Sequence, residues 1–145
     1  MNSAQANAAI IKRWLDAWPG ASSNVPFSVD NIVKPEASTY AIMEILSLDT
    51  QQVTLGRKAK VRHDGIIQIR LVGPVNAGRG ALDLLAQAVR VVLQRRRIGA
   101  NPPHEMGIVT QIAEDAELRR DREAPGSWVL AVSVPFHYHE VVSQG

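Results

Sequence analysis

Residues 64–97 read DGIIQIRLVGPVNAGRGALDLLAQAVRVVLQRRR, and this stretch constrains the fold more than any other. Ile67, Ile69 and Leu71 alternate with Gln68, Arg70 and Val72, the period of a β-strand. Gly73-Pro74 interrupts it, because Pro74 has no N–H to give to a ladder. A glycine-punctuated loop, residues 75–80, follows. A helix is then predicted over residues 81–97. Leu82, Leu85, Ala86, Val89, Val92 and Leu93 fall on one of its faces, the stripe of a helix lying on a sheet. Strand and helix are each half of a core and need one another.

The loop between them has the glycine spacing of a phosphate-binding P-loop. Arg79 and Gly80, however, stand where that motif needs Lys and Ser or Thr. Pro74 also removes a backbone donor from the cradle. The glycines are better explained as the conformational freedom needed to leave a strand and enter a helix.

At 145 residues the chain is long enough for one domain with a sizeable core. Its formal charge of +2 argues against nucleic acid as the main ligand. With no cysteine, disulfides and thiolate metal sites are excluded, which fits a cytosolic product. No apolar run approaches the roughly 18 residues of a membrane span. Nor does the N-terminus read as a signal peptide, since Lys12, Arg13 and Asp16 follow its short apolar run at once.

Asn2 and Ser3 are caps for a first helix whose face carries Ile10, Ile11, Trp14, Leu15 and Trp18. Pro19-Gly20 is expected to end it, and the tryptophans are expected in the core. Val25-Pro26-Phe27-Ser28-Val29 is an edge or irregular strand because of Pro26. Residues 31–38 are loop. Residues 39–48 form a strand with apolar residues on both faces, the pattern of a central strand. Residues 101–104 make a stiff loop, residues 106–117 an imperfect strand, and residues 123–126 a turn. The last element is the clearest strand. Trp128, Leu130, Val132, Val134, Phe136 and Tyr138 point one way, and Val129, Ala131, Ser133, Pro135, His137 and His139 the other. Together these elements predict an α+β fold, a largely antiparallel or mixed sheet of four to five strands with two helices packed on one face. The second face also carries apolar residues, and a small protein usually gives such a face to a partner.

Three charged or polar groupings stand out. Arg57, Lys58, Lys60 and Arg62 crowd a predicted hairpin, either as an edge guarded by charge or as a basic arm for an acidic partner or phosphate backbone. Arg95, Arg96 and Arg97 are expected in the last turn of the second helix, where cations suit its dipole, with Ile98-Gly99 as the C-cap. His137 and His139 share a strand face as a possible metal pair, but zinc needs three or four converging ligands. A nucleophile elbow, a catalytic cysteine and a His-Glu-x-x-His helix are all missing, so catalysis is not expected.

The order of these elements resembles the tail terminator proteins of long-tailed bacteriophages, the minor tail protein U type. The resembling pieces are the helix ending at Trp18-Pro19, the Val25-Pro26-Phe27 segment, and Thr54-Leu55-Gly56 before charged residues. Further pieces are His63-Asp64-Gly65 opening an alternating strand, the loop from Gly73-Pro74 to Gly80, the Ala- and Leu-rich helix and the closing strand to Tyr138. The likeness spans nearly the whole chain, but residues 101–126 do not align.

The resemblance implies structural work without cofactor or reaction. Copies of such a chain form a ring, expected to be a hexamer, on the head-proximal end of the tail tube. The ring ends tube polymerisation and offers a docking surface to the head–neck connector or stopper protein. Its partners would be itself, the tail tube protein and the connector, with DNA passing transiently through the lumen and no membrane. It would be assembled in the host cytoplasm and stay in the virion. A closed ring needs a heterologous interface. The hairpin of residues 51–64, with Arg57, Lys58, Lys60 and Arg62, and the loop carrying Pro102 and Pro103 are candidates for axial contacts. Arg95, Arg96 and Arg97 are candidates for subunit salt bridges or the lumen. The rival readings are another neck component, such as a head-completion or tail-completion protein, and a small nucleic-acid-binding domain using the two basic groups. A metal enzyme built on His104, His137 and His139 is the most distant.

Overall fold

The computed structural model describes residues 2–29, 37–56, 58–75, 79–99, 107–115, 118–120 and 126–143. In chain order the elements are α1 (Ser3–Ser22), β1 (Phe27–Val29), β2 (Tyr40–Gln52), β3 (Lys58–Pro74) and α2 (Gly80–Leu93). There follow β4 (Arg97–Ile98), β5 (Ile108–Thr110), β6 (Glu114–Asp115), β7 (Arg119–Arg120) and β8 (Ser127–Ser143). The sheet order is β1-β2-β3-β8-β5-β4, and β6 and β7 pair separately with β8. Among the described residues only the β1–β2 pair is parallel, so the sheet is mixed and mainly antiparallel.

The class is as expected, but the sheet has more strands than four to five among the described residues. The additional ones are two or three residues long. Such pieces are too short to carry an alternation that a sequence could show. The central strand is β8, with β3 on one edge and β5, β6 and β7 along the other. Strand β2, expected to be central, lies second from the edge, and β1 covers only its Ala41–Met43 portion. As Pro26 suggested, β1 is the terminal strand.

One core joins both helices to the same side of the sheet. Ala6, Ile10, Trp14 and Trp18 of α1 and Leu82, Leu85, Ala86, Val89, Val92 and Leu93 of α2 meet Ala41, Met43, Ile67, Ile69, Leu71, Leu130, Val132 and Val134. Asn2 caps α1 with a capping box: the Gln5 N–H donates to Asn2 Oδ1 at 2.9 Å, and the Asn2 N–H donates to Gln5 Oε1 at 2.9 Å. Trp14 and Trp18 stack with centroids 4.3 Å apart, and Trp18 Nε1 donates to the Val25 carbonyl.

Pro19-Gly20 does not end α1, which continues to Ser22. A proline removes only one intrahelical bond, and in the last turn the loss is small. The buried Ser22 hydroxyl donates to Trp18 O, and Ser23 closes the helix in the left-handed region at φ 57. Leu15, expected on the apolar face, is half exposed because the buried stripe steps strictly by four from Ala6. Nor does Pro74 break the ladder; β3 runs through it, with Pro74 opposite Ser127.

The second face is not left for a partner at its apolar end. Tyr40, Val72 and Val129 are buried there within the chain and pack with Ile42. Further along, Arg70 pairs with Glu44 at 3.2 Å. The expected loops around Pro35 and over residues 101–104 and most of the turn at residues 123–126 lie outside the described residues.

Gly65 sits where the packed sheet gives way to its extension. A Cβ there would lie 2.4 Å from Phe136 Cζ and 2.6 Å from the Leu46 carbonyl. The Phe136 ring occupies the space a side chain would fill. Gly65→Ala is expected to destabilise the protein by about 1–3 kcal/mol through overpacking. The check is a lowered urea midpoint with an unchanged slope; an unmoved midpoint would show that the ring yields freely.

Candidate functional site

Past Gly65, β2, β3 and β8 continue together as a three-stranded arm reaching Gln52, Lys58 and Ser143. A bulge between Ser47 and Asp49 shifts the β2 register, so Leu48 has no opposite residue and stays 61% exposed. The bulge also changes which β2 residues share a face with β3. Thr50 now stands opposite His63, which stands opposite Tyr138. On that face His63 Nδ1 meets Thr50 Oγ1 at 3.2 Å and His63 Nε2 meets Glu140 Oε2 at 3.1 Å. The His63 ring stacks on Tyr138 with centroids 4.9 Å apart. Burial, then the Glu140 charge, raises the Tyr138 pKa above its ordinary value.

The opposite face of the arm carries Lys60, Arg62, Asp64, His137 and His139. Arg62 donates from Nε and Nη2 to Asp64 Oδ1 at 3.1 and 3.0 Å, so one of its charges is matched locally. Lys60 is exposed. The Lys58 backbone lies opposite Ser143. Arg57 lies outside the described residues, as do Pro102 and Pro103. His137 and His139 stand edge to face with centroids 5.9 Å apart. Among the described residues no three His, Asp or Glu side chains converge as a metal set. Burial lowers both histidine pKa values first; Arg62 then acts on His137, and Lys60, His137 and Arg62 on His139, with Asp64 opposing in each case.

The tip of the arm is apolar. Val53 and Leu55 are exposed, Leu55 by 90%, beside Gly56 at φ 115. With Leu46 and Leu48 on β2 they are the exposed large apolar residues of this margin of the arm. Among the described residues, no strand pairs with the outer edge of β2 beyond Met43. The sequence signal for this was present but unused: apolar residues in a turn next to glycine have little chance of burial.

The second basic group lies at the other margin of the sheet. Its expected place in the last turn of α2 is not where it sits. The helix ends at Leu93, Gln94 is extended, and Arg95 is left-handed at φ 53. Arg97 and Ile98 form β4 instead, so Ile98-Gly99 is not the cap. Side chains from elsewhere satisfy the free carbonyls of the helix end. Arg96 donates to Val91 O from Nε at 2.9 Å and from Nη2 at 2.6 Å. Arg13 Nε donates to Val92 O at 2.9 Å. The buried Thr110 hydroxyl donates to Leu93 O and accepts from the Arg96 N–H. Sequence reading passed over Thr110 and Arg13, because both act over long chain separations.

Here, then, is a helix-backed sheet with an exposed apolar margin on one side and a basic margin on the other, the build of a structural subunit that docks to neighbours. The sequence matches the phage tail terminator protein family over residues 5–136, and the chain belongs to that family. It is a structural component of the virion, not an enzyme. No curated protein matches it. Among solved structures, one with no descriptive name is 14% identical, with a TM-score of 0.66, covering 100% of this chain and 99% of that one. A chain from the virion of a native gene transfer agent particle is 19% identical, with a TM-score of 0.60, covering 92% of this chain and 93% of that one. At these identities the likeness speaks for the fold.

Thr110→Val keeps the shape but strands a part-buried N–H and a buried carbonyl. It should cost about 1–3 kcal/mol, read from urea unfolding. A second expectation concerns pH. With native histidine pKa values below the ordinary 6.5, the unfolded chain takes up protons first as pH falls. The contribution of His137 and His139 is therefore complete above about pH 6.5 and is lost as pH falls from there through their native values. The urea midpoint should fall over this interval, and should fall less in a His137→Asn, His139→Asn variant. Equal falls in the two proteins would remove the histidines from the account.

Proposed function

We propose that copies of this chain close into a ring, a hexamer, at the head-proximal end of the phage tail tube. The ring ends tube polymerisation and gives the head–neck connector its docking surface, while DNA passes through the lumen. The observation that carries this reading is the apolar margin of the arm. Leu48 is largely exposed on a strand edge that has no partner among the described residues beyond Met43, and Leu55 is exposed in the turn that follows. A monomeric protein rarely leaves such an edge open, since it is a template for another chain. The basic margin on the opposite side of the sheet differs from it in chemistry, and a ring set between tube and connector needs two unlike axial faces.

The arm, with Arg57, Lys58, Lys60 and Arg62, and the segment with Pro102 and Pro103 supply the axial contacts in this reading. Arg95, Arg96 and Arg97 serve subunit salt bridges or the lumen in this reading. Membership of the tail terminator family supports the reading as a whole.

Leu48→Asp with Leu55→Asp should leave stability within about 0.5 kcal/mol, because both side chains are exposed. In phage carrying this variant, electron microscopy should show overlong tails without attached heads. Tails of normal length joined to heads would refute the role of the arm. In phage lacking the protein, normal-length tails separate from heads would instead mark a head–tail joining protein.

A further inference from the structure

The basic margin contains a groove whose occupant the ring reading does not name. It has a volume of about 520 Å³ and runs between one face of α1 and the segment after α2. Ala9, Lys12, Arg13 and Asp16 form one wall, and Arg95 to Gly99 the other. Five cations line it against the single acid Asp16. None of the five makes an ion pair among the described residues; the ion pairs there engage Arg62, His63, Arg70, Arg79 and Arg90. Arg13 and Arg96 are held in place by the carbonyls of α2, which leaves Lys12, Arg95 and Arg97 exposed and uncommitted.

The other wall is also a strand edge. Among the described residues strand β4 ends the sheet order and pairs only with β5. The Thr110 N–H donates to Arg96 O at 2.9 Å, while Arg97 stands opposite Val109. In an antiparallel ladder this makes Arg97 and Val109 a non-hydrogen-bonded pair, so Arg97 turns its own N–H and C=O away from β5. A row of cations beside an outward-facing backbone fits an extended chain bearing carboxylates.

We propose that this groove receives an extended acidic segment of a partner polypeptide, added as a strand beside Arg97-Ile98, with its carboxylates on Lys12, Arg95 and Arg97. A second copy is a poor occupant. Among the described residues Glu44, Asp64, Asp83, Asp115 and Glu140 are already paired within the chain, and the carboxylates without an ion pair, Asp16, Asp49 and Glu114, lie on three different elements and not along one strand. Nucleic acid is a poor occupant too, since no aromatic side chain lines the groove to stack a base. The proposal does not rest on the ring.

The test is an NMR titration of the full chain with a synthetic peptide of about eight residues alternating Glu and Val, a typical strand length. Shifts are expected at Ala9, Lys12, Asp16 and residues 95–99. Lys12→Glu with Arg95→Glu and Arg97→Glu, checked for folding by circular dichroism, should weaken binding about tenfold or more, and Arg97→Ala alone several-fold. A peptide N-methylated at alternate residues should also bind about tenfold more weakly, because strand addition needs its N–H groups. Four outcomes overturn the proposal: no saturable binding, shifts elsewhere, equal binding of the N-methylated peptide, or tighter binding of a DNA duplex to the same residues. Self-association that the triple variant abolishes would make a second copy the occupant and would also overturn it.

Discussion

The pairing of β3 with β8 is the interaction on which the rest depends. Each strand has 17 residues, and they are in register from Lys58 opposite Ser143 to Pro74 opposite Ser127. The inner half of this ladder carries the core. Ile67, Ile69 and Leu71 face the helices beside Leu130, Val132 and Val134. The outer half carries the arm. A period of two ties the halves together, because a slip of one residue would turn every core side chain to the other face. Packing against α1 and α2 therefore fixes the register of the whole arm, whose base, at Tyr138, still belongs to that core.

Gly65 and the Leu48 bulge mark the transition. The glycine lets Phe136 lie across β3, so a ring of the core closes over backbone. The bulge inserts one unmatched residue and leaves an apolar side chain in solvent. The first serves packing within the chain, and the second sets the edge that the proposed docking would use.

The end of α2 follows a different logic. Its last carbonyls receive hydrogen bonds from Arg13 on α1, Arg96 just beyond the helix, and Thr110 on β5. Three elements are thus pinned to one helix terminus. The result is a rigid basic corner, in which Arg13 and Arg96 serve structure while Lys12, Arg95 and Arg97 remain available. Adjacent cations repel, and Arg96 contributes to lowering the Arg13 pKa after burial. An anionic occupant would relieve that repulsion.

The sequence by itself determined the long elements. The α1 stripe with its Asn2 cap, the α2 stripe and the alternation in β3 and β8 each repeat over enough residues for one face to be unmistakable, and burial follows that face. It also carried the family, through the order of those elements. It did not determine the short strands, the end of α2 or the fate of the three arginines. Periodicity through Leu93 gives no reason for a helix to stop, and the reason lies in Thr110 and Arg13, whose partners are distant in the chain. Nor could alternation show that Tyr40, Val72 and Val129 are buried on the second face while Leu48 and Leu55 are not. Burial on a strand depends on what covers it, and that is settled only when the chain has folded.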